Sequence, residues 1–479
     1  MNGLVAGSKA VRPSVGIVGG GLAGLAAACA LADTGYKVTL FERRPFLGGR
    51  ASSYEHPGTG EVVDNCQHVL LGCCTNLRDL YRRLGVEDKV RWYRRITFIE
   101  PGGRSGVIEP SSLPAPLHSA ISFAKYGLLS LRDKAGIARA LVALLKGVPE
   151  DSAEDFLTWL RKKGQTQAAI NRFWAPVLIS SLNEELDKSS VKYAVLVFRD
   201  AFMKSAEAGS MGVPRIPLSE LYGVAADYIR ARGGEVRLRN GVEAVAFRGD
   251  KVKLRSNEQE FSFDYAISAV PFHAIGRMLP QSTEAEELQR KVSHLQTVPI
   301  TGIHLWFDRE VTELEHAALL DRTIQWMFQK SKILAGRGSQ GAGQSAKDGG
   351  SYLELVVSSS KSLLEMGRSD IIALAMKELE EFFPKVRDAK LVKSTVIKEV
   401  HATFAPAPLS DEFRLRPQSA WPRLFLSGDW TATGWPSTME GAVRAGYLTA
   451  EALSRAAGNS EQFMVPDLKP QGFMRLFPS

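Results

Sequence analysis

Val15-Gly16-Ile17-Val18-Gly19-Gly20-Gly21-Leu22-Ala23-Gly24 decides how this chain folds. Val15 to Val18 reads as a short buried strand, three glycines break it, and Leu22 to Ala32 reads as an apolar helix. Lys37 to Phe41 supplies a second strand, which makes the segment a βαβ unit. Gly19, Gly21 and Gly24 fit G-x-G-x-x-G. In that spacing the first glycine permits a tight turn and the second lets the backbone approach a pyrophosphate. The third lets helix and strand pack closely. Leu22 and Ala23 open the helix, whose N-terminus offers unpaired N–H groups to phosphates. Glu42 ends the second strand, where a carboxylate accepts hydrogen bonds from ribose hydroxyls. A dinucleotide is the predicted ligand.

The same stretch imitates a secretion signal, because Lys9 and Arg12 precede an apolar run from Val15 to Ala32. The interrupting glycines, and the lack of a small-residue cleavage site before Asp33, favour the buried βαβ unit instead. No other stretch is long and apolar enough to span a bilayer. The cysteines are Cys29, Cys66, Cys73 and Cys74. They lack the paired CxxC spacing of a zinc site, so no metal is expected and the set reads as reduced thiols of a cytoplasmic protein. The net charge of +8 suits an anionic membrane surface or ligand. A nucleic-acid partner is not expected, because no nucleic-acid motif accompanies the charge.

Working outward, 479 residues exceed one compact core, and two intertwined domains are expected. Residues 75–84 read as a helix ended by Gly85. Residues 119–148 carry a helical stripe through Ile137, Leu141, Leu144 and Leu145, with five basic residues and one acid. That pattern fits a core-facing helix with a solvated side, or one lying on a membrane surface. Phe173, Trp174, Pro176, Val177, Leu178 and Ile179 read as core or as the lining of an apolar tunnel. Strands are predicted at 234–238, 242–247, 251–254, 265–269 and 303–307. A flexible loop is predicted at 335–351 and a helix at 371–383, before a last strand at 424–427 and a helix at 439–456.

Arg43-Arg44-Pro45-Phe46-Leu47-Gly48-Gly49-Arg50 resembles the R-x-x-x-x-GGR extension shared by flavin amine oxidases, protoporphyrinogen oxidases and phytoene desaturases. Near the other end, Leu424-Phe425-Leu426-Ser427-Gly428-Asp429-Trp430 resembles the strand-Gly-Asp motif that meets the ribityl chain and pyrophosphate of FAD in these families. Thr433 to Ala442, with Pro436, Thr438 and Met439, resembles the segment whose backbone donors face the pyrimidine end of the flavin. Val242 matches the strand that touches adenine. The resemblance implies an α/β chain in which a Rossmann-like FAD-binding domain (13–90, 210–295 and 415–457) is interleaved with an α+β substrate domain (91–209 and 296–414). It also implies FAD held non-covalently, since no cysteine occurs in residues 75–479 to carry a cysteinyl flavin.

Asp64-Asn65-Cys66-Gln67-His68-Val69-Leu70-Leu71-Gly72-Cys73 matches the segment that passes beside the isoalloxazine ring. With His304-Leu305-Trp306-Phe307-Asp308-Arg309, it is most similar to the squalene-associated branch, the hydroxysqualene dehydroxylases. That branch implies reductive loss of an allylic hydroxyl to give squalene for hopanoid synthesis. It also implies an electron donor that no motif identifies, contact with other squalene-pathway enzymes, and a peripheral position on the cytoplasmic membrane face. His68 is the first candidate proton donor and His304 the second, with Gln67 beside His68. The lysine that many amine oxidases carry near the flavin is absent from Thr301-Gly302-Ile303-His304. Three readings stand beside this one: a carotenoid desaturase, an amine or porphyrinogen oxidase, and a non-catalytic flavoprotein scaffold for prenyl synthases.

Overall fold

The computed structural model describes residues 12–334 and 350–478. Ser14–Val18 and Lys37–Glu42 lie side by side in a five-stranded parallel sheet, with Val15 opposite both Val38 and Tyr265. Glu235–Leu238 closes one edge, and Tyr265–Ser268 followed by Leu424–Leu426 forms the other. Leu22–Asp33 is buried from Leu22 to Ala32, as a helix apolar all round must be. It packs against Met439–Ala456 so closely that a Cβ on Gly446 would fall 2.4 Å from the Ala23 carbonyl. On the sheet's opposite face, the antiparallel strands Val242–Arg248, Lys251–Ser256 and Gln259–Phe263 bring Leu254 and Phe263 onto Gly16. Three layers result, and strands from three distant parts of the chain meet in one sheet.

A second sheet has seven strands, in the order Leu391–Phe404, Thr297–Phe307, Ser351–Ser358, Trp326–Gln329, His316–Leu319, Ile96–Ile99 and Ser105–Ile108. Arg368–Phe382 seals one face over Ile303, Leu305 and Leu355. The helices between residues 117 and 203 approach the other, where Phe98 and Ala318 join their core.

Several expectations shift in detail. The stripe over 119–148 is two helices, Ala120–Lys125 and Leu131–Leu144, because the Ser130 hydroxyl and the Asp133 carboxylate cap each other's backbone and restart the helix. The strand expected at 303–307 begins at Thr297. Of the loop predicted at 335–351, residues 335–349 lie outside the described residues, while Ser351 already belongs to a strand. Val90–Tyr93 crosses the 90/91 boundary and pairs with Met211–Pro214, which also pairs with Leu70–Leu71. Among the described residues no helix is long and apolar enough to cross a membrane, no group of side chains is arranged to hold a metal, and all four cysteines are buried and free.

Candidate active site

One cavity of about 1000 Å³ joins the glycine turn to the helical layer. Its first half is built from the two ends of the chain. Gly19 adopts φ +109, and a Cβ there would fall 2.7 Å from the Ala269 carbonyl. A Cβ on Gly24 would lie 1.9 Å from the Gly19 carbonyl, so helix and turn meet backbone to backbone. Gly21 differs: its φ is −76, and its Cβ would meet nothing nearer than the Gly49 Cα at 3.8 Å. Gly21 lines the cavity, so the missing side chain leaves room for a ligand rather than for packing.

The Glu42 carboxylate is fixed by accepting from the Gly20 N–H at 2.7 Å and the Arg44 N–H at 2.8 Å. Gly48 and Gly49 fold back on the turn, and the Gly48 N–H donates to the Gly20 carbonyl at 2.9 Å. Leu22, Ala23, Arg43, Gly49 and Val242 all line this half. Arg50 lines it too, but its guanidinium is engaged. It donates to Asp429 Oδ1 at 2.5 Å and to the Ala402 carbonyl at 2.6 Å, joining the two ends of the chain. Asp429 also accepts from the Ser437 hydroxyl. Gly428, Pro436, Thr438 and Met439 complete the wall. Thr438 caps Met439–Ala456 by accepting the Gly441 N–H, which leaves the helix's first N–H groups at the cavity. Glu440, whose role sequence reading missed, accepts from the N–H groups of Asn76 and Leu77 and from Arg444 Nε. A buried carboxylate thereby holds together two helices, one from each end of the chain. A carboxylate for ribose, glycines where a pyrophosphate would press, and helix N-termini at both ends make a cradle that fits FAD. FAD is the cofactor this set of donors would hold.

Asn65 to Leu71 forms the wall where the cavity leaves the cradle. His68 Nδ1 lies 2.7 Å from the Cys66 carbonyl, which only accepts, so Nδ1 carries the hydrogen and the neutral ring's free position is Nε2. Burial lowers the His68 pKa below the ordinary histidine value. Gln67 donates to the His68 carbonyl at 3.0 Å and accepts from Lys330 Nζ at 2.9 Å.

His304 is not brought to the cavity. It is fully buried behind the Asn65–Cys66 backbone, with Nδ1 2.7 Å from the Tyr352 hydroxyl. Burial pushes its pKa down to about 3, so the ring is neutral and takes no part in lining the site. The strand before it carries no lysine, yet a lysine stands behind Gln67 from another element. Lys330 is almost wholly buried, 2.6 Å from Asp64 and 3.4 Å from Glu354. One cation cannot satisfy two buried carboxylates. Burial raises the Glu354 pKa to about 8, while Lys330 holds Asp64 below the usual carboxylate range against its own burial. No spacing in the sequence pointed to this cluster.

Beyond His68 the cavity becomes apolar. Rings of Phe123, Phe173, Phe198 and Phe202 follow one another along it, with centroids 5.5 to 5.9 Å apart. Of the six residues read as possible tunnel lining, Phe173, Pro176 and Val177 line the cavity. Trp174 and Leu178 are fully buried in the core, and Ile179 packs on it. Backbone segments Ile170–Trp174 and Phe198–Met203 are π-helical, widening the turns that present these rings. Arg172, a charged side chain of the cavity wall beside Phe173, is neutralised by Glu100 and Asp321.

The family model for flavin containing amine oxidoreductases matches residues 22–454. A 15-cis-phytoene desaturase from Synechococcus elongatus is 27% identical over 467 residues, covering 92% of this chain and 95% of that protein. A zeta-carotene desaturase from Zea mays is 27% identical over 474 residues, covering 91% and 82%. Among solved structures, an oxidoreductase from Methanosarcina mazei superimposes with a TM-score of 0.70 at 18% identity, over 90% of this chain and 98% of that one. A putrescine oxidase bound to putrescine gives 0.68 at 17% identity, over 92% and 99%. With its cradle formed from both ends of the chain, the protein belongs to the flavin containing amine oxidoreductase family and is an FAD-dependent oxidoreductase.

Proposed function

We propose that this oxidoreductase removes the allylic hydroxyl of hydroxysqualene and releases squalene. The observation that carries the reading is the apolar arm, which runs from Cys66, Gln67 and His68 past four phenylalanines. Such walls accept a long uncharged hydrocarbon and exclude water from a cationic carbon. An amine substrate would need a carboxylate among the phenylalanines, whereas Glu399, which lines the same cavity, stands on the Asn65 side and accepts from Asn65 Nδ2 at 3.1 Å. In the reaction the C–O bond breaks, the hydroxyl leaves with a proton as water, and a hydride takes its place on carbon. Bound FAD, once reduced by an external two-electron donor, supplies that hydride.

The chain's own part is to hold the allylic carbon beside the Cys66–His68 wall and to manage the proton. With Nδ1 committed to the Cys66 carbonyl, His68 receives and releases its second proton at Nε2. Only the doubly protonated ring is an acid there. Because burial lowers its pKa below the ordinary histidine value, that form grows only as pH falls.

A second reading is oxidative desaturation of a carotenoid precursor. Its support is the similarity, over nearly the whole chain, to phytoene and zeta-carotene desaturases. That reaction runs the electrons the other way and needs His68 as a base, favoured by rising pH. Anaerobic incubation of the FAD-loaded protein with dithionite and hydroxysqualene, with extraction and mass spectrometry, separates the two. Squalene formed only with protein and reductant supports dehydroxylation. Its absence, with dehydrogenated products from phytoene and a quinone acceptor, moves the assignment to desaturase.

A further inference from the structure

We propose that the mouth of the cavity is a docking surface for an anionic lipid bilayer, assembled from residues 113–125, 131–148 and 471–478. These segments make up less than a tenth of the chain. Yet seven of the twelve exposed large apolar side chains among the described residues belong to them: Leu113, Leu117, Ile121, Leu131, Val142, Phe473 and Leu476. Leu131 is 83% exposed and Leu476 78%, far beyond what scattered surface hydrophobes require.

The segments form one surface. The Phe473 N–H donates to the Ala115 carbonyl at 2.8 Å, seating the chain's last turn on the first segment. Lys134 Nζ donates to the Ala124 carbonyl at 2.7 Å, tying the second segment to the first. Arg199 donates to the carbonyls of Leu144, at 2.5 Å, and Pro478, fastening the second to the third. Leu117 and Val142 are both exposed and part of the cavity lining, so the apolar arm reaches the surface inside this patch.

Charge selects the partner. The patch carries Lys125, Arg132, Lys134, Arg139, Lys146 and Arg475, and none of the six forms an ion pair among the described residues. Its one acid, Asp133, is buried and holds the Ser130 cap and the Thr166 hydroxyl. Apolar side chains ringed by unpaired cations match a bilayer whose headgroups carry phosphate and net negative charge. A long hydrocarbon then passes from lipid into the arm without crossing water. The inference rests on the apolar-substrate reading for that cargo alone, and its test contains no substrate.

FAD-loaded protein is sedimented with vesicles of phosphatidylcholine, with and without phosphatidylglycerol. Binding to the phosphatidylglycerol vesicles, released by salt, is expected. The triple variant Arg132→Gln, Lys146→Gln, Arg475→Gln should weaken it on the order of a hundredfold. Leu131→Ser with Leu476→Ser should weaken it at least about tenfold. Val224→Ser with Val392→Ser, exposed positions elsewhere, should leave it unchanged, with flavin content and thermal midpoint confirming that every variant is folded. Absence of wild-type binding, equal binding to both vesicle types, or patch variants that bind like wild type would overturn the proposal. So would patch variants that turn a dimer into monomers without affecting vesicles, which would make the face a contact between two copies of this chain.

Discussion

The FAD cradle and the apolar arm are halves of one cavity, built on opposite principles. The cradle is made by backbone: Gly19, Gly21, Gly24, Gly48 and Gly49 fold upon one another, and where a Cβ would collide the residue is glycine. The arm is made by side chains: Phe123, Phe173, Pro176, Val177 and Phe198, displayed by helices whose other faces enter the core. Backbone construction forces particular residues at particular spacings. Side-chain construction asks only for apolar bulk, which many sequences supply.

The seam between the halves predicts the largest effect. Asp64 comes from the cradle side, Glu354 from a strand of the seven-stranded sheet, and Lys330 from the start of the short helix Lys330–Ile333 that follows another of its strands. Replacing Lys330 by Met strands Asp64 without its cation and should cost about 3–5 kcal/mol in chemical unfolding. Glu354 adds a pH signature. Its folded pKa of about 8 lies above its unfolded value, so its contribution is fully present below the unfolded pKa and is lost as pH rises toward 8. Glu354→Gln should therefore match wild type near pH 5 and melt at a higher temperature than wild type near pH 9. Equal melting shifts at both ends would show that the cluster does not share its charge as described.

Within the cradle, two glycines three residues apart should behave differently. Gly24→Ala pushes a methyl onto the Gly19 carbonyl and should cost about 3 kcal/mol along with flavin retention. Gly21→Ala has ordinary φ and open space, so the flavin-free protein should keep its stability within about 1 kcal/mol. FAD affinity, followed by flavin fluorescence, should nevertheless fall at least about tenfold, since the methyl occupies the cradle. Unchanged affinity in Gly21→Ala would break the claim that this position faces ligand. Between cradle and arm, His68→Gln should lower turnover about a hundredfold. It should also abolish the rise in rate toward low pH that dehydroxylation requires; a wild-type rate that falls toward low pH would favour desaturation.

What was legible in the sequence follows the same division. The strand and helix around the glycine turn, the helix at 75–84 and the helix at 439–456 were readable to within a residue or two, because caps, glycines and periodicity all agree there. The cradle residues from Gly19 to Met439 meet around one cavity although more than four hundred residues separate them. Lys330 and Glu354 were illegible, because ionic contact between the start of a short helix and strands from two different sheets leaves no mark in local spacing. Glu440 sat inside a recognised segment, but its role depends on a helix from the opposite end of the chain. His304 shows the reverse error: a histidine in a resembling stretch that folding carries behind the wall. The stripe over 119–148 concealed a cap, since Ser130 and Asp133 interrupt it without interrupting its apolar period.

The arm is tested most finely by two neighbours in Ala175–Leu182. Val177 lines the cavity, while Leu178, one residue on and turned by about 100° around the helix, is completely buried in the core. Leu178→Ala should cost about 2–5 kcal/mol in unfolding and leave the preference among substrates of different chain length as it was. Val177→Phe enters open space, so its stability change should stay below about 1.5 kcal/mol. It narrows the arm, however, and should shift kcat/KM toward shorter isoprenoids by about tenfold, because one or two displaced methylenes are worth 1–3 kcal/mol in an apolar pocket. Should both substitutions alter stability alone, the arm would be an internal void rather than a passage for substrate. A length preference that moves only with Val177 would instead assign adjacent residues of one apolar run to different work, a division that only the folded helix reveals.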